Sequence, residues 1–253
     1  MSDTPGQFVW YDLMTSDLDR AVSFYTEAVG WGTQPLNGPA PYVMWTVNGA
    51  PIGGVSPYAS EHAAAGVTPH WIAYVTVADV DEAVEKTRKH GGSIVNEPRD
   101  IPDVGRIAVI RDPQGALIAV FKPTPAMPEV EPTVGNFSWH ELVTSDYEAA
   151  FEFYSDLFGW EKTSDFDMGR DMGKYRMYGQ GGRPYGGMMN NPSVPAHWLC
   201  YVNVGEIGPA VERIKQLGGQ VLYDPMEVPG GDWVTACLDP QGAAFAIHSS
   251  KPA

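Results

Sequence analysis

The sequence predicts an α+β fold: four βαβββ units forming two tandem modules, each a curved mixed sheet around a cleft. Three observations carry this. FVWYDLMTSDLDRAVSFYTEAVGW at residues 8–31 recurs as FSWHELVTSDYEAAFEFYSDLFGW at residues 137–160, with 11 of 24 positions identical without gaps. Three further blocks recur in the same order: residues 42–54 as 175–187, residues 70–92 as 197–219, and DPQG at 112–115 as DPQG at 239–242. Each half also restarts midway, with a strand-like run, a helical stripe ended by glycine, and more strand-like runs.

The elements follow in order. Phe8–Thr15 reads as a strand. Ser16 or Asp17 can cap the next segment. There Ala21, Phe24, Tyr25 and Val29 share a helical face, and Gly30 stops it. Strands are expected at 42–47 and 51–56. The second quarter opens with a strand at Trp71–Val77, rich in aromatic and β-branched residues. A helix follows with Val80, Ala83, Val84 and Thr87 inward and Gly91 and Gly92 at its end. Strands are expected near 93–96, 104–110 and 116–121. In the second half Ile207, Ala210, Val211 and Ile214 form the matching stripe, with Pro209 tolerated in the first turn. The modules are expected at 1–121 and 137–253. The segment 122–136 between them holds four prolines and reads as a stiff linker.

Composition narrows the function. With 43% hydrophobic residues over 253 positions there is material for a real core. The 31 acidic residues against 16 basic give a net charge of -15, which disfavours nucleic acid and anionic membranes as partners. No apolar run reaches membrane-spanning length and the N-terminus lacks a signal-peptide pattern, so the expectation is a cytoplasmic protein. Two cysteines, Cys200 and Cys237, cannot build a disulfide scaffold or a CxxC metal site. A small-molecule partner remains, with the chain a monomer or a homodimer.

Histidines carry the chemistry to be weighed. His62 and His90 read as solvent-facing. His140 opens the second half, His197 begins its fifth strand and His248 ends its last, where the first half carries Tyr11, His70 and Phe121. Three imidazoles converging on one cavity could hold a divalent metal (Fe, Zn, Ni or Mn) with an open coordination position, so His140, His197 and His248 are the expected ligands. The alternative is buried, hydrogen-bonded strand histidines and no metal. Glu141 should face the opposite side of its strand from His140. Asp112 and Asp239 read as turn residues, the duplicated PxGG segments as turns or points of close approach, and Cys200 as a buried small hydrophobe. Pocket lining is expected from Tyr201, Leu142, Leu199, Tyr178, His70 and Tyr11, with Tyr74, Phe121 and Trp45 also of inward parity. Such a pocket would favour flat or apolar molecules.

The two WxxLxTSD-type first strands with their FY helices, the HWIAYV and HWLCYV strands, and DPQG before the last strand together resemble the vicinal oxygen chelate superfamily. This is the group of glyoxalase I, extradiol dioxygenases and bleomycin resistance proteins. The resemblance spans nearly the whole chain and implies glyoxalase-like modules. It implies metal ligands from the first, fifth and eighth strands of a module: His140, His197 and position 246. That last position is Ala246, with Ala119 in the first half, where the family usually has Glu. His248 lies two residues on, with the same parity. The resemblance implies a metal-dependent enzyme of oxygenase or lyase/isomerase type, with a metal-free, drug-sequestering binder or a non-catalytic scaffold as the alternatives.

Overall fold

A computed structural model describes residues 4–36, 40–58, 67–124, 133–169 and 173–251. His62 and most of the expected linker lie outside these residues. The first half contains β1 (Phe8–Thr15), α1 (Leu18–Ala28), β2 (Gly32–Pro35), β3 (Val43–Val47), β4 (Ala50–Pro57), β5 (His70–Thr76), α2 (Val80–Lys89), β6 (Ser93–Ile101), β7 (Gly105–Arg111) and β8 (Leu117–Pro123). The second contains β9 (Phe137–Thr144), α3 (Tyr147–Phe158), β10 (Glu161–Asp167), β11 (Lys174–Gln180), β12 (Arg183–Asn190), β13 (His197–Asn203), α4 (Ile207–Gln216), β14 (Gln220–Val221), β15 (Met226–Glu227), β16 (Trp233–Leu238) and β17 (Ala244–Ser249). Each half forms one mixed sheet, ordered β2-β3-β4-β1-β5-β8-β7-β6 and β10-β11-β12-β9-β13-β17-β16-β14, with β15 beside β16. The fold is α+β, with the four repeated units that the sequence predicts.

Local chemistry sets the boundaries. Asp17, Asp79 and Asp146 accept hydrogen bonds from main-chain N–H groups in the first turns of α1, α2 and α3. Glu206 precedes α4 without a capping bond. Gly159 ends α3 at φ 72°, a conformation open to glycine. The helical stripes are buried as expected; Val29, the C-cap of α1, is buried together with Ala28.

By contact, the chain resolves into two compact units, each drawing on both halves. Unit 1 contains residues 1–9, 72–130 and 139–199; unit 2 contains residues 10–71, 131–138 and 200–253. In unit 1, Tyr154 of α3 donates to Asp112 at 3.0 Å and receives Trp198 Nε1–H at 3.1 Å. Asp112 Oδ1 also accepts the N–H groups of Gln114, Gly115 and Ala116. Gln114 reaches the start of α3, its Oε1 accepting the N–H of Ser145 and of Asp146. Trp160 Nε1–H donates to the Gly6 carbonyl at 2.7 Å. The core of this unit includes Leu142, Tyr154, Trp160, Tyr178, Trp198, Val80, Ile110 and Ile118.

Unit 2 repeats the design with the halves exchanged. Tyr25 of α1 donates to Asp239 at 3.2 Å and receives Trp71 Nε1–H at 3.1 Å. Trp31 Nε1–H donates to the Gly135 carbonyl at 2.6 Å. Phe24, Tyr25, Trp31, Trp45 and Phe245 form a connected aromatic cluster. The two DPQG segments are therefore turns, and each aspartate anchors a tyrosine contributed by the other half.

Candidate functional site

The first strand of each half sorts its side chains by alternation. In β1, Val9, Tyr11, Leu13 and Thr15 are buried while Trp10, Asp12 and Met14 stay partly exposed. In β9, His140 and Leu142 are buried and Trp139 and Glu141 partly exposed. His140 thus shares the core face with Leu142, and Trp139 with Glu141 occupies the open one.

On that open face each half builds the same small assembly. In unit 1, Trp139 Nε1–H donates to the Tyr175 hydroxyl at 2.8 Å, and Tyr175 donates to Glu141 Oε2 at 3.0 Å. In unit 2, Trp10 Nε1–H lies 3.0 Å from the Tyr42 hydroxyl and 2.9 Å from Asp12 Oδ1, and Tyr42 donates to that same Oδ1 at 2.7 Å. Burial, and then the Asp12 charge, hold the Tyr42 hydroxyl well above its ordinary pKa, so it stays a donor.

The duplicated glycine pairs make room for this. Gly53 and Gly54 lie beside Tyr11 and Asp12, and Gly186 and Gly187 beside His140 and Glu141. A Cβ on the second glycine of either pair would sit about 2 Å from a tyrosine ring atom: 2.1 Å at Gly54 from Tyr42, and 2.0 Å at Gly187 from Tyr175. A Cβ on the first would meet backbone instead, 2.2 Å from the Tyr11 carbonyl oxygen at Gly53 and 1.8 Å from that of His140 at Gly186. The PxGG segments are points of close approach, one glycine for the neighbouring strand and one for a ring.

The expected metal ligands stand in different local surroundings. His140 is buried. Its Nδ1 lies 2.9 Å from the Tyr185 carbonyl, and its ring stacks on Phe8 with centroids 3.7 Å apart and planes 3° from parallel. Burial lowers its pKa from 6.5 to about 4, so the ring is neutral. His197 belongs to the same unit, is partly exposed, and sets Nδ1 2.9 Å from the Pro195 carbonyl. His248 belongs to unit 2, between Ser138 and Asp232. Among the described residues no group of three or more His, Cys, Asp or Glu is arranged to hold a metal. Ala246 and Ala119 are fully buried methyl groups. Of the three expected ligands, His140 faces the core and makes its contact to a main-chain carbonyl.

The expected pocket residues divide as well. Leu142 and Tyr178 are core residues of unit 1, and Leu199 is buried there. Tyr11 is buried in unit 2, stacked on Phe137 at 3.7 Å. Tyr201 is buried opposite Ala246 in unit 2, and Trp45 is fully buried. His70 sets Nδ1 2.7 Å from the Thr68 carbonyl. Cys200 and Cys237 are buried, and burial pushes both thiols up to about 12. The open-face residues that sequence reasoning passed over are Trp10, Asp12, Tyr42, Trp139 and Tyr175. Their signal was a tryptophan and an acid two apart in both first strands.

Comparison with known proteins fits this architecture. The family described as Glyoxalase/Bleomycin resistance protein/Dioxygenase superfamily matches residues 7–120 and 136–247. A protein of Mycobacterium tuberculosis named "Putative glyoxylase CFP32" is 32% identical over 253 residues, covering 96% of this chain and 94% of its own. The anthracycline biosynthesis protein DnrV of Streptomyces peucetius is 29% identical over 259 residues, covering 96% and 93%. Among solved structures, the 2,3-dioxygenase LapB from Pseudomonas sp. KL28 superposes with a TM-score of 0.69 at 11% identity over 98% of this chain and 93% of that one. At that identity the likeness is one of fold.

Proposed function

Because the chain belongs to the Glyoxalase/Bleomycin resistance protein/Dioxygenase superfamily, we propose that it binds a flat, largely apolar small molecule on the open face of its first strands, without a metal. The observation that carries this is the Trp–Tyr–carboxylate assembly, present once in each half over a glycine pair. The indole and phenol rings offer flat apolar surface to an aromatic ligand, and the carboxylate can accept from a ligand hydroxyl or amine. Relatives named for anthracycline biosynthesis support a planar polycyclic ligand.

Calorimetric titration with a hydroxylated anthraquinone, in buffer containing EDTA, tests this. The expected result is saturable binding, weakened about five- to tenfold by Trp139→Leu or Trp10→Leu, since a lost stacking partner costs on the order of 1–1.5 kcal/mol. Binding unchanged in the double variant would remove the assignment.

A second reading keeps a metal-dependent oxygenase or lyase/isomerase. It is supported by His70 and His197, whose Nδ1 atoms each face a main-chain carbonyl two residues back. That contact leaves Nε2 as the basic nitrogen, as in many metal-bound imidazoles. Elemental analysis of protein purified without chelator separates the two. About one equivalent of metal, lost on His197→Ala, would favour the second reading.

A further inference from the structure

The end of the last strand holds a polar relay that ligand binding does not use. Ser138 Oγ lies 3.0 Å from His248 Nδ1, and His248 Nε2 lies 3.2 Å from Asp232 Oδ2. All three residues belong to unit 2. A carboxylate only accepts, so Asp232 holds the proton on Nε2 and leaves Nδ1 to accept from the serine hydroxyl. The Ser138 hydroxyl also reaches a second acceptor, donating to the Tyr201 carbonyl at 3.3 Å, so its single proton is shared between that oxygen and the nearer His248 Nδ1. The side chains of His248 and Asp232 keep 20% and 44% of their exposure, and Ser138 is half-buried. Ser138 and His248 stand on strands, and Asp232 directly precedes β16, which pairs with β17 at Val234 and His248. Regular elements thus hold the geometry.

The repeat provides an internal comparison. The positions corresponding to Ser138, His248 and Asp232 in the first half are Val9, Phe121 and Gly105. Val9 and Phe121 are buried, and Phe121 packs edge-on against Tyr74. The first half thus holds two apolar side chains and a glycine at this place, where the second carries a hydroxyl, an imidazole and a carboxylate in series. That order places a nucleophile, a base and an orienting carboxylate within hydrogen-bond reach, with the two ring nitrogens exchanged relative to the Ser–His–Asp template.

We propose that Ser138, His248 and Asp232 form an acyl-transfer site that hydrolyses small esters. Ser138 Oγ bonds to the ester carbonyl carbon while its proton passes to His248 Nδ1, and Asp232 stabilises the resulting imidazolium. The carbon–oxygen bond to the leaving alcohol then breaks, and the alcohol takes the proton from His248. Water, deprotonated by His248, attacks the acyl-serine and releases the acid, and Ser138 recovers its proton. The sum is ester plus water giving acid plus alcohol.

The test is labelling of the full chain by a fluorophosphonate probe in the presence of EDTA, with the modified residue located by peptide mass mapping. The expected label is on Ser138 and is absent in Ser138→Ala. The labelling rate should fall about 100-fold in His248→Gln, the usual scale of general-base assistance. Because Asp232 is partly solvated, Asp232→Asn should have a smaller effect, about tenfold. A folded wild-type chain that takes no label, a label elsewhere, or a rate indifferent to His248→Gln would overturn the proposal. Ser138→Cys gives an independent answer if His248→Gln does not fold. Its thiol should react with iodoacetamide at pH 7 at least about tenfold faster than free cysteine, through a lowered thiol pKa. A rate at or below that of free cysteine would likewise overturn it.

Discussion

The phenyl ring of Phe8 lies flat on the imidazole of His140, 3.7 Å between centroids. The repeat equivalents Phe137 and Tyr11 stack the same way at 3.7 Å. The two first-strand positions are thus the same packing device, filled once by a phenol and once by an imidazole. The imidazole adds a pH dependence. His140 is neutral when folded and its pKa is depressed from 6.5 to about 4, so the unfolded chain binds the proton first as pH falls. Its contribution is complete above about pH 6.5 and is lost progressively down to about pH 4, about 3 kcal/mol over that window. Urea unfolding at pH 7.5 and pH 4.5 checks this. The loss between the two pH values should be smaller in His140→Gln than in the wild type by an amount of that order.

Two adjacent glycines should respond differently to one methyl group. At Gly186 the added Cβ meets the His140 main-chain oxygen at 1.8 Å, and backbone in a sheet cannot yield. Gly186→Ala should cost about 3 kcal/mol or more, or abolish folding. At Gly187 the obstacle is the Tyr175 ring, which can rotate away. Gly187→Ala should cost only about 1 kcal/mol in stability and show its main effect as loss of ligand affinity, because the displaced Tyr175 no longer holds Trp139 and Glu141. Equal losses of stability at both sites would contradict this.

The buried thiols supply a plain check of the core. Cys200 and Cys237 are enclosed and held protonated. Ellman's reagent at pH 8 should find no fast-reacting thiol in the native chain and both cysteines in denaturant. A native thiol reacting within minutes would mean that one of these strands opens readily.

Much of this was legible in residues. Strand β1 and the stripes of α2 and α4 follow from alternation and 3.6-residue spacing, and the turn role of Asp112 and Asp239 from DPQG. The candidate site was harder for a specific reason. Alternation separates Trp139 and Glu141 from His140 and Leu142 but does not say which set meets helices. A single position's offset moves every side chain to the other face. Attention to histidine therefore selected the core side, and the duplicated Trp and acid went unread. The exchange of quarters between halves was likewise invisible, since Tyr25–Asp239 and Tyr154–Asp112 join residues 214 and 42 positions apart.

That exchange yields the last prediction. The hydroxyl of Tyr154, from the second half, is held by Asp112 of the first, and Tyr25 of the first by Asp239 of the second. Trp160 and Trp31 reach across in the same way to Gly6 and Gly135. A chain cut between the halves would leave each fragment with unpaired aromatic faces and carboxylates whose partners are on the other fragment. Because the halves are homologous, a second copy of the same fragment presents an approximate substitute for the missing quarter. Residues 133–253 expressed alone should therefore be either poorly folded or dimeric, and mixing with residues 1–124 should convert them to a one-to-one complex. Light scattering after size-exclusion chromatography distinguishes these states. A stable, well-folded monomer of the isolated second half, with cooperative thermal unfolding, would mean that the contacts between halves contribute little to the core.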